Sequence, residues 1–218
     1  MAPITGDPVL FGASYSVYVR AARLALVEKG VSYRQIEVDI FSQDEVPDEY
    51  LQRQPFRRIP ALEHEGFRLY ETGAITRYVD EAFDGPPLMP SGLHARARVN
   101  QVLSVIDSYL YRPLVRCIYV ERCLRPCDGR LPDEAKIASA LPLARTCLAA
   151  LDELLDPVGP FVAGPGPSLA DLHLAPMAAY FSRAREAAAL MRNCSRLSRW
   201  WEVMRARPSM AATRSPLE

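Results

Sequence analysis

The fold is decided near the start of the chain, where residues 9–30 read VLFGASYSVYVRAARLALVEKG. The run Val9–Phe11 is apolar and ends at a glycine, which is typical of a short buried strand. Ser14 and Ser16 offer N-cap hydroxyls for the amphipathic stretch that follows, and Gly30 suits the position just past a helix end. This stretch therefore predicts a buried strand followed by a helix.

The next fifty residues extend this pattern. Tyr33–Ile40 alternates apolar and polar residues and predicts a second strand, parallel to the first because a helix connects them. A short helix is expected over Asp48–Arg53. Ile59–Glu63 and Phe67–Tyr70 flank a Glu-Gly turn and predict an antiparallel hairpin, and Thr72 opens a third helix. The predicted order is β-α-β-α-β-β-α.

Turn-forming residues divide the chain into two domains. Residues 84–91 read DGPPLMPS, which predicts a linker after a first domain of residues 1–83. Over residues 92–218 the apolar positions recur at helical spacing, so the second domain is expected to be all-helical, with a kink at Pro113. The fold class is thus α/β followed by all-α.

Composition excludes several classes of function. Lys plus Arg and Asp plus Glu both number 26, and a zero net charge argues against nucleic-acid or membrane-surface binding. No apolar run reaches the ~20 residues of a membrane span, and the first residues lack a secretory signal. Five cysteines at irregular spacing indicate reduced thiols and a cytoplasmic location. Three dispersed histidines match no metal-ligand spacing, so no metal is expected.

Four blocks of sequence occur in an order and spacing that point to one family. They are Leu10–Lys29, Gln54–Leu62, Tyr70–Ile75, and Phe161–Leu172, which contains the capping-box spacing Ser-x-x-Asp. Together they resemble the cytosolic glutathione S-transferases of the serine type, bacterial-type and phi- or theta-like, along essentially the whole chain. The resemblance implies a thioredoxin-like domain followed by a C-terminal helical bundle.

The resemblance implies that glutathione is the co-substrate and that Ser16 is the catalytic residue, with Ser14 as the alternative. Glutathione reacts as its thiolate, and its thiol has a pKa of roughly 8.5. Lowering that pKa by about two units requires ~2.7 kcal/mol of preference for the anion. One hydroxyl hydrogen bond and the positive end of a helix can supply this.

The resemblance also implies the residues that bind glutathione. The backbone of Ile59, before a proline that is cis in the family, is expected to pair with the cysteinyl unit. Glu71 is expected to meet the γ-glutamyl ammonium, and Thr72, a natural N-cap, to present its N–H to a carboxylate. Arg58 stands where phi-class relatives have Gln, and it either binds a ligand carboxylate or is solvated. The His-Lys pair that such relatives place after the second strand has no counterpart in Phe41–Glu45.

The resemblance also implies where the second substrate binds and how the chain assembles. An electrophile pocket is expected at Tyr15, Tyr111, Arg116 and Tyr119, with an interface or helix packing as the alternative for the last three. A homodimer is expected, using the amphipathic helix Val99–Leu110 and the apolar Phe56, with a place in the monomer's own core as the alternative for these positions.

Three functions are compatible with these residues. The favoured one is conjugation of the glutathione thiolate to a small hydrophobic electrophile, with reduction of organic hydroperoxides as a further activity. The second is a non-catalytic glutathione-fold binding or regulatory protein. The third is a zeta-like glutathione-dependent isomerase, against which Glu71 counts, since that class has Gln there.

Overall fold

The computed structural model describes residues 6–41 and 46–218. The chain divides into two compact units, Met1–Leu88 together with Pro208–Glu218, and Met89–Arg207. In chain order the elements are β1 (Val9–Phe11), α1 (Val17–Glu28), β2 (Arg34–Ile36), α2 (Asp48–Leu51), β3 (Ala61–His64), β4 (Phe67–Tyr70), α3 (Thr72–Ala82), α4 (Leu93–Val105), the π-helical segments Ile106–Leu110 and Arg112–Leu124, α5 (Arg125–Cys127), α6 (Glu134–Leu154), α7 (Leu169–Phe181), α8 (Ala187–Met191), α9 (Ser195–Arg205) and α10 (Pro208–Ala212).

The first unit is built on a four-stranded mixed sheet in the order β2-β1-β3-β4. β1 pairs in parallel with β2 and antiparallel with β3, and β3 pairs antiparallel with β4. This confirms the predicted β-α-β-α-β-β-α fold. The second strand is shorter than predicted, because the ladder with the three-residue β1 ends at Ile36. The expected continuation to Ile40 lies outside that ladder.

α1 begins and ends where the sequence predicts. Ser16 is its N-cap, in extended conformation, and the Ser16 hydroxyl oxygen accepts from the Val19 N–H at 3.4 Å. The helix stops at Gly30, which has a φ of +69°, a left-handed conformation that glycine adopts without steric cost. The helix buries an apolar face that includes Val19, Ala22 and Leu26.

The C-terminal residues 208–218 group with the first unit, whereas sequence analysis assigned them to the helical domain. The reason is a buried polar contact with α1. The Arg20 side chain, only 2% exposed, forms an ion pair with Glu218 and donates to the Met210 carbonyl at 3.0 Å. Helical periodicity does not reveal this contact, because its residues are 190 or more positions apart.

Replacing Arg20 by methionine is expected to lower the free energy of unfolding by about 3 kcal/mol, because it leaves Glu218 without its buried partner. The matched control is Arg34→Met, since Arg34 is an exposed residue of β2. The measurement is urea unfolding followed by circular dichroism. Equal stability of the two variants would contradict a structural role for the buried pair.

The second unit is helical, as predicted. In its described residues the only β pairing is an isolated bridge between Phe161 and Gly164. At Pro113 the helix does not simply kink. Its hydrogen bonding widens to the π pattern over Ile106–Leu110 and again over Arg112–Leu124, which includes the proline that has no N–H to donate. None of the helices in the described residues has both the length and the hydropathy of a membrane span.

The segment Val99–Leu110 fits the alternative expected for its apolar positions, a place in the core of its own chain. The apolar positions of the segment Val99–Leu110 were expected to face a second subunit, but they are buried within their own chain. Val99, Val102, Ile106 and Leu110 are all fully buried. Helical spacing shows that a face is apolar, and the chain's own core is sufficient to cover this one.

A buried carboxylate organises the start of α7. Asp171 is 0% exposed and its two oxygens accept four hydrogen bonds, from the Val162 N–H, the Ser168 N–H, the Ser168 hydroxyl and the Trp200 indole N–H. Ser168 and Asp171 form the predicted capping box. Burial raises the pKa of the Asp171 carboxyl, and the four donors oppose that effect. The same side chain thus joins the helix start, the preceding loop and α9.

Candidate active site

Strand register brings the candidate residues of the first unit to one edge of the sheet. Ala61 pairs with Phe11 on one side and with Tyr70 on the other. The segments that follow β1, precede β3 and follow β4 therefore emerge at the same edge. Those segments carry Ser16, Ile59, Glu71 and Thr72. The topology alone gathers these residues, although they are up to 56 positions apart (72 − 16).

The two candidate serines differ in what their hydroxyl groups do. The Ser14 hydroxyl donates to the Glu37 carboxylate, which also accepts the Ser14 N–H at 3.0 Å. The Ser16 hydroxyl oxygen accepts from the Val19 N–H in the first turn of α1. The Ser16 hydroxyl donates to none of the described residues. Only the hydroxyl of Ser16 is therefore free to donate to a ligand.

The loop before Ser16 is held by side chains of β2 and of the segment that follows it. The Gln35 amide donates to the Gly12 carbonyl at 2.9 Å and to the Ser14 oxygen at 3.0 Å. The Tyr15 hydroxyl donates to Asp39 at 2.5 Å. Sequence reasoning did not assign Gln35, Glu37 or Asp39 to the site. The only available signal was their alternate spacing within the predicted second strand, Tyr33–Ile40.

Ile59 lies beside this loop. The Ile59–Pro60 peptide bond is cis, and the ladder of β3 starts only at Ala61, so the backbone of Ile59 lies outside the sheet pairing. Gly12 has a φ of +144°, and a Cβ there would come within 2.5 Å of the Val19 side chain and 3.1 Å of the Ile59 Cβ. A glycine is required for this close approach of the two segments.

The start of α3 differs from the expectation in one respect. Thr72 was expected to be the N-cap, but the N-cap is Glu71, and Thr72 is the first helical residue. Glu71 has a φ of +70°, which a non-glycine residue rarely adopts and which is common at functional sites. Its carbonyl accepts from Ala74 and Ile75. The Glu71 side chain is exposed and has no partner among the described residues.

Arg58 is an exposed residue of the segment that leads to Ile59. Its carbonyl accepts from the Tyr50 hydroxyl at 2.6 Å, which fixes the backbone here. Burial raises the pKa of Tyr50, so this hydroxyl stays protonated as a donor. The Arg58 guanidinium forms no ion pair with any described residue. The part of Phe41–Glu45 that lacks the His-Lys pair, residues 42–45, lies outside the described residues.

The other residues expected at an electrophile pocket lie in the helical unit. Tyr111 is half-buried and Arg116 is exposed. Tyr119 is 1% exposed, and its ring stacks on Tyr180 with 4.3 Å between centroids. Within the described part of the chain, no group of three or more His, Cys, Asp or Glu side chains is placed to hold a metal ion.

Comparison with known families identifies both units. Residues 10–87 match the model of the glutathione S-transferase N-terminal domain, and residues 118–206 match the glutathione S-transferase C-terminal domain. The chain is 30% identical over 190 residues to a glutathione S-transferase of Arabidopsis thaliana, an alignment that covers 86% of this chain and 87% of the relative.

Solved structures agree with this. A glutathione transferase from Populus trichocarpa superposes with a TM-score of 0.82 at 28% identity, over 94% of this chain and 97% of that one. A theta-class enzyme from Xanthomonas axonopodis pv. citri, solved with glutathione bound, gives 0.83 at 25% identity, over 98% and 100%. The chain belongs to the glutathione S-transferase family, which confirms the family and the transferase function expected from its sequence.

Proposed function

We propose that the protein conjugates glutathione to small hydrophobic electrophiles and that Ser16 stabilises the glutathione thiolate. One observation carries the assignment to Ser16. Its hydroxyl donates to no described residue, whereas the Ser14 hydroxyl already donates to Glu37. The position at the N-terminus of the 12-residue α1 adds the positive end of the helix dipole, and the first turn contains no acidic residue that would oppose it.

In the proposed reaction the thiol proton is lost to solvent and the Ser16 hydroxyl donates a hydrogen bond to the resulting thiolate. The sulfur attacks the electrophilic carbon, a C–S bond forms, and the leaving group departs with the bond pair. With an organic hydroperoxide, the thiolate attacks the terminal oxygen, the O–O bond breaks to give a sulfenic acid and an alkoxide, and the alkoxide takes a proton from solvent to become the alcohol. A second glutathione converts the sulfenic acid to the disulfide and water. Ser16 acts only on the charge of the sulfur.

The remaining residues are proposed to hold the tripeptide. The backbone of Ile59 lies outside the sheet ladder and can pair with the cysteinyl amide and carbonyl. The first N–H groups of α3, beginning at Thr72, have no acceptor in their own helix and suit the γ-glutamyl carboxylate. Glu71 suits the adjacent ammonium. Arg58 suits the glycyl carboxylate, since its guanidinium is exposed and forms no ion pair with the described residues.

The test is calorimetric titration with glutathione followed by turnover with an aryl halide and with an organic hydroperoxide. S-methylglutathione is the matched control, because it keeps every tripeptide contact but has no thiol to ionise. We expect both ligands to bind and only glutathione to react. If glutathione binds and neither electrophile nor peroxide is turned over, the protein is a binding module.

Glu71→Gln is expected to weaken glutathione binding at least about tenfold, because a charge-assisted bond to the ammonium contributes on the order of 1.5–3 kcal/mol. Turnover at saturating glutathione should change little, since Glu71 does not contact the sulfur. The measurement is the glutathione KM and kcat at a fixed electrophile concentration. A fall in kcat with an unchanged KM would contradict the assignment.

For the electrophile we propose Tyr15 as the contact residue of the first unit, and Tyr111, Arg116 and Tyr119 as the candidate residues of the helical unit. Tyr111 and Arg116 are the accessible members of the helical unit. Tyr119 is buried against Tyr180, so we assign it to the support of that wall.

We also propose a phi-like class, a cytoplasmic location and a homodimer. The class rests on the plant relatives and on a serine at the start of α1.

The dimer rests on an exposed aromatic pair: Phe56 is 65% exposed and its ring lies 5.9 Å from that of the partly exposed Tyr70. Sedimentation at micromolar protein is expected to give twice the 24.3 kDa chain mass. A monomer at that concentration would contradict the dimer, and Phe56→Ser is expected to produce one.

A further inference from the structure

The five cysteines of the chain differ in their access to solvent. Cys117, Cys147 and Cys194 are buried in the helical unit, whereas Cys123 is half-buried and Cys127 is exposed. A reagent in solution can therefore reach two thiols, and these two stand four positions apart in the sequence.

Cys123 and Cys127 lie on the same face of one helical turn. Cys123 is near the end of the π-helical segment Arg112–Leu124, and Cys127 is the last residue of α5 (Arg125–Cys127). Four residues make about one turn in either helix, so both side chains project from the same side. The Cys127 thiol donates to the Cys123 carbonyl oxygen at 3.1 Å, so the Cys127 side chain folds back over the turn that carries Cys123.

The surroundings of Cys123 are charged but supply no further metal ligand. Burial raises the pKa of the Cys123 thiol, the charge of Cys127 adds to that rise, and the guanidinium groups of Arg183 and Arg122 oppose it. Within the described residues, no third His, Cys, Asp or Glu completes a metal-binding group. A structural zinc ion, which takes four ligands, therefore does not suit this two-thiol site.

The spacing of the two cysteines decides which chemistry suits them. Cβ atoms four residues apart on a helix are separated by about 5–6 Å. A disulfide needs a Cβ separation of about 3.5–4.5 Å, so a direct S–S bond would distort this turn. A single atom bonded to both sulfurs spans the longer distance without that distortion.

We propose that Cys123 and Cys127 form a binding site for trivalent organoarsenicals, in which arsenic bears one carbon and two exchangeable hydroxyl groups. Each thiol replaces one hydroxyl: two As–S bonds form, two As–O bonds break, and the thiol protons leave with the hydroxyls as two molecules of water. Arsenic stays trivalent, so the step needs neither an oxidant nor a reductant. The site shares no residue with the set around Ser16 and does not depend on the proposed transfer reaction.

The probe is phenylarsine oxide, followed by intact-protein mass spectrometry and by counting the thiols that react with a chromogenic disulfide. We expect one phenylarsenic group per chain and the loss of both accessible thiols. Because the second As–S bond forms within the same chain, the adduct should survive a large excess of glutathione, which is a monothiol. Dimercaptopropanol, a dithiol, should remove it.

Substitutions of the pair separate chelation from ordinary thiol reactivity. Cys123→Ser and Cys127→Ser are each expected to bind phenylarsine oxide at least about a hundredfold more weakly than the wild type. A serine at position 127 can still donate to the Cys123 carbonyl, and thermal unfolding without ligand checks that the fold is kept. The matched control is Cys127→Ser combined with Asp128→Cys, which keeps two thiols but moves one to an exposed residue past the end of α5. It should bind at least about tenfold more weakly than the wild type.

Four results would overturn the proposal. One is a wild-type adduct that excess glutathione removes. Another is equal affinity of the wild type and the single-thiol variants, which would mean that one thiol suffices. Equal affinity of the control with the shifted thiol would show that the shared helix face has no role. An adduct on the double variant Cys123→Ser with Cys127→Ser would place the arsenic on the buried cysteines.

Discussion

Ser16→Ala is expected to lower turnover of an aryl halide roughly ten- to hundredfold and to leave glutathione affinity within a few-fold. The lost hydrogen bond is stronger to thiolate than to thiol, and a bond to a charged group contributes on the order of 1.5–3 kcal/mol. The tripeptide itself would still be held by Ile59, Glu71 and Thr72. The measurement is kcat/KM at fixed pH together with the dissociation constant for S-methylglutathione.

Two controls separate chemistry from folding, because Ser16 is also the N-cap of α1. Ser16→Gly removes the hydroxyl but costs a helix start only a few tenths of a kcal/mol. Ser16→Thr keeps a hydroxyl and should retain most of the activity. Ser14→Ala should stay within about threefold of wild type, since the Ser14 hydroxyl is bound to Glu37. If Ser14→Ala is inactive and Ser16→Ala is normal, the catalytic hydroxyl is that of Ser14.

The largest expected effect on stability is that of Asp171→Ala. The change leaves the N–H groups of Val162 and Ser168 and the indole N–H of Trp200 buried without an acceptor. Each unsatisfied group costs about 1–3 kcal/mol, so the free energy of unfolding should fall by at least ~3 kcal/mol. That is a large part of the ~5–15 kcal/mol that stabilises an ordinary domain. The measurement is chemical denaturation followed through tryptophan emission.

Asp156→Ala is the matched control for this prediction. Asp156 also accepts two backbone N–H groups, from Val158 and Gly159, but in a partly exposed loop where water can replace it. We expect a loss of about 1 kcal/mol there. A similar loss of unfolding free energy in the two variants would show that burial of the Asp171 hydrogen bonds adds nothing to stability.

The sheet, the first helix and the capping box could be predicted because their signals are local. Apolar runs end at turn residues, Ser16 stands directly before an amphipathic stretch, and Ser168 and Asp171 are three residues apart. The prediction that Ser16, Ile59 and Glu71 share one site came from the family resemblance. The register of β1, β3 and β4 gives the physical reason why they lie at one edge of the sheet.

The remaining features of the fold and the site depend on contacts between segments that are distant in the sequence, and such contacts leave no local sequence pattern. Nothing in the sequence near Ser14 indicates that its hydroxyl donates a hydrogen bond to Glu37, which is 23 positions away. Nothing near Arg20 indicates that residues 208–218 pack on α1. The segment Val99–Leu110 shows the same limit, since periodicity reports an apolar face and not what covers it.

The pKa of the glutathione thiol in the complex tests the proposed role of Ser16 most directly. It is measured by titrating the ultraviolet absorbance of the thiolate with glutathione bound to the wild type, to Ser16→Gly and to Ser14→Ala. Because one pKa unit corresponds to ~1.4 kcal/mol, we expect the bound thiol of Ser16→Gly to ionise at least about one unit above that of the wild type. Ser14→Ala should titrate like the wild type. Identical titration curves for Ser16→Gly and the wild type would contradict stabilisation of the thiolate by Ser16.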